Sequence, residues 1–415
     1  MKKFLALLLT LTMLLTMCCV SALAAEEPVT ITLWHRWGGA NEQYLHEIID
    51  NFMANNPDVK VDVNLKNVSY TELLQGMIVD AAAGNPLPDA FVSGYNVLDY
   101  IATELNPTTV QELAPSAEAE AELLGRFSEE MKGLASYRGE SIGLPLAASN
   151  MVMYVNMDLF KEAGLTEADI PKTWEEVEKV CAIITEKTDA EGIVVPRVDS
   201  WADQALIYSA GGTVLSEDGT QVDLTNEGCV KAMTFWQSMY QNGYVPNIAH
   251  GDLETTFQAG DIAMDCTTIM TVTAMRTYCD FDLRIVEVPS FEGFKKQLPA
   301  GGAAMVSFTN PEDEAKRDAM WRFLDYLYSD EAMKIFGQTG YFCVTNMEVE
   351  MTPDQEPMYA QKPYAMQWVN WPGGSIGLEI EGLWVNARDA ICAEGADVVS
   401  TLEALEEECN MMLDF

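Results

Sequence analysis

The residues of this chain best suited to chemistry are aromatic and acidic, and few are nucleophilic. Trp201 stands two positions before Asp203 in the run Asp199-Ser200-Trp201-Ala202-Asp203, and Tyr341 follows Gly340. An indole face stacks on apolar C–H surface, and a neighbouring carboxylate accepts protons from hydroxyls. Trp37 and Trp371 also stand beside glycines, where ligand contact and packing between elements are equally good readings. Trp174, Trp236 and Trp321 fall in helical patterns and read as core.

Catalytic and metal signatures are missing. There is no HExxH, GxSxG or phosphate-binding loop, no CxxC, and the three His are far apart. Neither a metal nor a cofactor is expected. Of nine cysteines, Cys18 and Cys19 fall near the N-terminus and seven follow at irregular spacing among apolar neighbours, which reads as buried thiols rather than a disulfide framework.

Charge excludes one class of partner. With 24 Lys plus Arg against 64 Asp plus Glu, the net charge is −40, and the scattered basic residues form no groove for nucleic acid. Disorder is excluded by 15 Phe, 15 Tyr, 9 Trp and 23 Met, enough apolar surface for packed cores in two or three domains.

The first 24 residues read as a secretory signal peptide: Lys2 and Lys3, an apolar run from Phe4 to Leu15, and Ala22-Leu23-Ala24 before the cut. That run is too short to span a bilayer, and no later stretch is long and apolar enough. Leu15-Thr16-Met17-Cys18 resembles a lipoprotein cleavage box, so a lipid on Cys18 is the alternative to simple cleavage after Ala24. The mature chain is expected to be extracytoplasmic, in the periplasm or at the cell surface, and to be a monomer.

The elements that must position these side chains alternate between strand and helix. Val29, Ile31 and Leu33 alternate as a strand; Asn41 is placed to cap a helix carrying Leu45, Ile48, Ile49 and Phe52; Val59, Val61 and Val63 make the next strand. Thr173 and Glu176 form a capping box, Gly192 to Val195 a buried strand, and Asn310-Pro311 the expected start of another helix. The class is α/β.

Several segments in order resemble the extracellular solute-binding proteins of bacterial ABC transporters, the family of maltose- and other carbohydrate-binding proteins. They are Ile31 to His35, Gly143 to Leu146 with Met153 to Asn156, Asp158 to Leu165, Pro171 to Glu176, Phe257 to Met264, Gly301 to Ala303, and Thr339 to Thr345. The resemblance implies a two-lobed periplasmic-binding-protein fold of type II, each lobe a mixed sheet flanked by helices, with several chain crossings at the hinge. Residues 26–145 with 302–346 would form one lobe, and 146–301 with 347–415 the other. It further implies capture of a solute by lobe closure and delivery to membrane permease subunits.

The nearest branch is the glycerol-3-phosphate-binding one, which holds phosphate with an arginine near its C-terminal part. The matching stretch here, Trp371 to Leu378, has no arginine, and an acidic contact of the first lobe is replaced by Tyr95. A neutral mono- or oligosaccharide is therefore expected, with glycerol-3-phosphate or a glycerophosphodiester as the alternative and a secreted glycan-active enzyme as the alternative of another class. By that resemblance the ligand contacts are Tyr70, Tyr95, Ser149, Trp201, Thr268, Gly302 and Tyr341, to which the residue types themselves add Asp203 and Trp371.

Overall fold

The computed structural model describes residues 27–66 and 68–414; the leader and Cys18 lie outside them. Nine strands carry the architecture: β1 (Val29–His35), β2 (Val59–Leu65), β3 (Ala90–Gly94), β4 (Leu144–Ser149), β5 (Met151–Asn156), β6 (Glu191–Val194), β7 (Ile262–Thr268), β8 (Leu283–Glu287) and β9 (Gly301–Ser307). They form two mixed sheets. The first has the order β2-β1-β3-β9-β4, with β1 parallel to β2 and β3 and with β9 antiparallel to β3 and β4. The second has the order β8-β5-β7-β6, with only β6 and β7 parallel.

The expected strand–helix–strand opening is present. Helix α1 (Gly39–Asn55) buries Leu45, Ile48, Ile49 and Phe52, and crosses from β1 to its parallel neighbour β2. It starts two residues before Asn41, which therefore lies inside the first turn and caps nothing; Gly38 occupies the cap position. The helix expected at Asn310-Pro311 likewise starts later, at Glu314, because the Asp313 carboxylate accepts from the Lys316 N–H at 3.1 Å. The Thr173–Glu176 capping box forms as read, at 3.2 and 3.3 Å.

Four helices bear on the site. Helix α2 (Tyr70–Ala82) follows β2, and α3 (Trp201–Ser209) follows β6. Helix α4 (Leu253–Gln258) precedes β7, and α5 (Ser375–Cys392) closes over α3 from the C-terminal part of the chain. The chain passes from the first sheet to the second at Asn150, between β4 and β5, and returns between β8 and β9. β4 and β9 both pair within the first sheet, which thus reaches Ser149 and resumes at Gly301. No helix among the described residues is long and apolar enough to cross a membrane.

Candidate functional site

A cavity of about 760 Å³ opens where the two sheets meet. The first sheet and its connections supply Arg36, Tyr70, Ser149, Gly302 and Tyr341 to its walls; the second supplies Asp199, Trp201, Glu254, Asp265 and Thr268. Six of the residues expected from sequence thus converge: Tyr70, Ser149, Trp201, Thr268, Gly302 and Tyr341.

The aromatic wall is fixed by its own polar tips. The Trp37 indole donates to the Tyr70 hydroxyl at 2.8 Å, and the Arg36 guanidinium lies over the Tyr70 ring at 4.9 Å. Tyr341 is stacked on Phe336 at 5.8 Å and donates to the Met270 sulfur at 2.6 Å. Across the cavity the Trp201 indole donates to the Pro299 carbonyl at 2.8 Å and packs against Trp368, with ring centroids 6.4 Å apart. These bonds engage the Trp201 N–H and the Tyr341 O–H, so those two side chains present ring faces and edges to a ligand. At the seam, Thr268 on β7 donates to the Ser149 hydroxyl on β4 at 3.2 Å, joining the two sheets through the pair of hydroxyls expected to contact ligand.

Gly302 lines the cavity for a structural reason. Its φ is +124°, and a Cβ there would stand 2.0 Å from the Ala147 carbonyl of the paired strand. The glycine is required by the close approach of β4 and β9, whatever its N–H meets.

Three expected contacts lie elsewhere. Tyr95 is 1% exposed and donates to the Ala147 carbonyl at 2.9 Å, so its hydroxyl is spent within the first sheet. Asp203 points away from Trp201 along α3, where the Trp384 indole donates to it at 2.8 Å and Arg388 at 3.1 Å. Successive helical positions diverge by about 100°, so residues two apart on α3 cannot share one wall. Trp371 packs on Trp384 and donates to Glu381, which also accepts from the Ser200 N–H and hydroxyl at 2.6 and 2.9 Å. These three residues organise the wall behind the cavity.

Other lining groups carried weaker sequence signals. Arg36 directly follows β1, at the carboxyl end of a parallel strand, where ligand groups cluster in α/β folds. Asp265 is a lone acid within the apolar run of β7, and that contrast was the available signal. Asp199 accepts from the Trp201 N–H at 3.1 Å; burial first, and then the nearby Glu381, push its carboxyl up to about 7. Burial likewise raises Glu254, although Gln258 donates to it at 2.8 Å. His250 accepts the Arg197 N–H through Nδ1 at 3.2 Å, and burial lowers its pKa, so the ring is neutral. The cavity therefore joins aromatic faces, hydroxyls and carboxylates, a set suited to a ligand that donates many hydrogen bonds.

Comparison with known proteins agrees with this architecture. A family model described as "Bacterial extracellular solute-binding protein" matches residues 38–334. The sn-glycerol-3-phosphate-binding periplasmic protein of Escherichia coli (strain K12) is 25% identical over 361 residues, covering 82% of this chain and 80% of that protein. Among solved structures, the cyclic alpha-maltosyl-1,6-maltose binding protein of Arthrobacter globiformis superposes with a TM-score of 0.76 at 20% identity, covering 93% of this chain and 99% of the other. UgpB of Mycobacterium tuberculosis, solved with glycerophosphocholine, gives a TM-score of 0.79 at 19% identity over 94% of this chain and 99% of the other.

Proposed function

Since the chain belongs to the bacterial extracellular solute-binding protein family, we propose that it is the solute-binding component of an ABC importer, taking a sugar between two closing lobes and passing it to membrane permease subunits. The carrying observation is the cavity itself. Tyr70, Tyr341, Trp201 and Trp368 all line it, Trp201 packed on Trp368, with the Ser149 and Thr268 hydroxyls at the seam between the sheets. A pyranose has apolar faces for the rings and a rim of hydroxyls for the carboxylates, and it touches both lobes at once.

Contact with both lobes is what links binding to closure. A ligand shifts an open–closed equilibrium only by its differential affinity for the two states, and a solute held by one lobe would shift nothing. In this reading the protein works as a monomer that binds without turnover, and closure creates the surface a permease recognises. Its place is outside the cytoplasmic membrane, either freed by cleavage after Ala24 or held by an acyl chain on Cys18; the mass of the protein from its native cells distinguishes these.

One observation favours a second ligand class. Arg36 reaches the cavity and could hold a phosphate, as the likeness to the glycerol-3-phosphate-binding protein suggests. Against it, the Arg36 Nε already donates to the Val68 carbonyl at 2.5 Å, its plane lies on Tyr70, and Glu72, Asp199, Glu254 and Asp265 share the cavity. We therefore hold to a sugar.

The test is a thermal-shift and calorimetric screen of the mature protein against mono- and oligosaccharides, glycerol-3-phosphate and its diesters. A true ligand should stabilise by about 2.7 kcal/mol at a hundredfold excess over Kd. Response to phosphorylated compounds alone would replace the sugar with a phosphodiester, and release of product from a glycan would replace binding with catalysis.

A further inference from the structure

One ionisable group in the cavity has no partner among the described residues. Asp265 is 3% exposed, sits on the central strand β7 between Tyr154 and Val194, and lines the cavity. Its carboxylate takes part in no hydrogen bond and no ion pair among the described residues. The charged group that bears on it is another acid, Glu254, on the helix that leads into β7. Burial and that neighbour raise its pKa well above the carboxylate range.

Among the described residues no cation answers these acids from the same wall. His250 is neutral, and Arg388 is committed to Asp203, Asp389 and two backbone carbonyls behind the cavity. Arg36 belongs to the opposite lobe and is engaged by Val68 and Tyr70. A metal ion is poorly served, since no group of three or more metal-binding side chains occurs among the described residues. The carboxylate opens on the cavity with no partner on the chain, and a fold retains such a group where something outside the chain completes it.

We propose that Asp265 and Glu254 form a subsite for a protonated amine on the ligand. The inference rests on the sugar reading above and sharpens it: the solute is an amino sugar, or an oligosaccharide containing one with its amine free. A hydroxyl offers Asp265 one hydrogen bond and no positive charge to favour its ionised form over the protonated form that burial and Glu254 promote. An ammonium offers three donors and the opposite charge, enough to bridge both acids.

Calorimetry with two matched pairs of probes tests this. The first pair is a β-1,4-linked glucosamine oligomer and the glucose oligomer of the same length; the second is glycerophosphocholine and glycerol-3-phosphate. The glucosamine oligomer should bind at least tenfold more tightly than its glucose counterpart. Asp265→Asn, which keeps the shape and removes the charge, should shrink that ratio to within about twofold, with the glucosamine oligomer losing far more affinity than the glucose oligomer, and Glu254→Gln should shrink it partly. Equal affinity for both oligomers, or an equal loss for both in Asp265→Asn, would overturn the subsite and leave the sugar reading standing. A preference confined to glycerophosphocholine, whose quaternary ammonium has no N–H to donate, would overturn both the amine subsite and the sugar, leaving only a site for positive charge. Binding of none of the four would overturn both.

Discussion

Arg388 donates to Asp203 at 3.1 Å, and both side chains are 1% exposed. The acid that sequence placed beside Trp201 as a ligand contact is thus one half of a buried ion pair, completed by the Trp384 indole. Removing one partner from such a pair leaves the other charge stranded. Asp203→Ala should therefore lower stability by about 3–5 kcal/mol, read as a drop in the urea midpoint. Replacing both Asp203 and Arg388 by leucine and methionine should cost less than either single change.

Trp201 and Trp371 separate ligand contact from packing. Trp201 lines the cavity, whereas Trp371 packs on Trp384 behind it. Trp201→Ala should weaken solute binding on the order of tenfold or more, as loss of a central aromatic does. Trp371→Ala should lower the melting temperature and leave Kd nearly unchanged once the protein is folded. A reversed pattern in a titration of the two variants would put the site elsewhere.

Gly302 and Gly38 make a matched contrast. A Cβ at Gly302 would meet the Ala147 carbonyl at 2.0 Å with φ at +124°, whereas one at Gly38 meets nothing within 4 Å. Gly302→Ala should destabilise by about 2 kcal/mol or more, and Gly38→Ala, which loses only a glycine at a helix N-cap, should cost about 1 kcal/mol or less. Thermal unfolding of the two variants side by side checks it.

His35 sets part of the acid limit. Burial first, and then His46, lower its pKa to about 4, and its Nδ1 accepts from the Trp37 N–H at 3.2 Å. Above pH 6.5 the ring is neutral in both the folded and unfolded chains. Between 6.5 and 4 only the unfolded chain takes up the proton, so stability falls as pH falls and levels off below 4. The loss should approach about 3 kcal/mol. His35→Asn, which keeps an acceptor for Trp37, should flatten that part of the stability–pH curve.

The seven cysteines from Cys181 onward are free thiols, five of them buried and Cys279 and Cys343 partly exposed. Burial pushes the Cys279 thiol up to about 11, so even it reacts slowly at neutral pH. A thiol reagent should label two cysteines slowly in the native mature protein and seven in denaturant. A reductant should not shift the melting temperature.

Much of the fold was legible because its signals are local. The β1–α1–β2 unit follows from periodicity, and the Thr173–Glu176 box from capping chemistry. Helix starts were read less well: at Gly39 and Glu314 the cap came from residues other than the obvious Asn41 and Asn310-Pro311. Cap choice depends on where the preceding loop leaves the chain, which local pattern does not encode.

The sequence by itself determined the α/β class, the alternation of elements, the family likeness and an aromatic, acid-rich site. Tertiary structure decided which of those side chains face the cavity. Tyr95, Asp203 and Trp371 turn their polar atoms to Ala147, Arg388 and Glu381, partners 52, 185 and 10 positions away in the chain. Asp265 is left facing open space because both flanking strands present apolar or already bonded groups to it. Residue type and spacing fix what a side chain can do; whether a distant partner has already claimed it is settled only when the sheets come together.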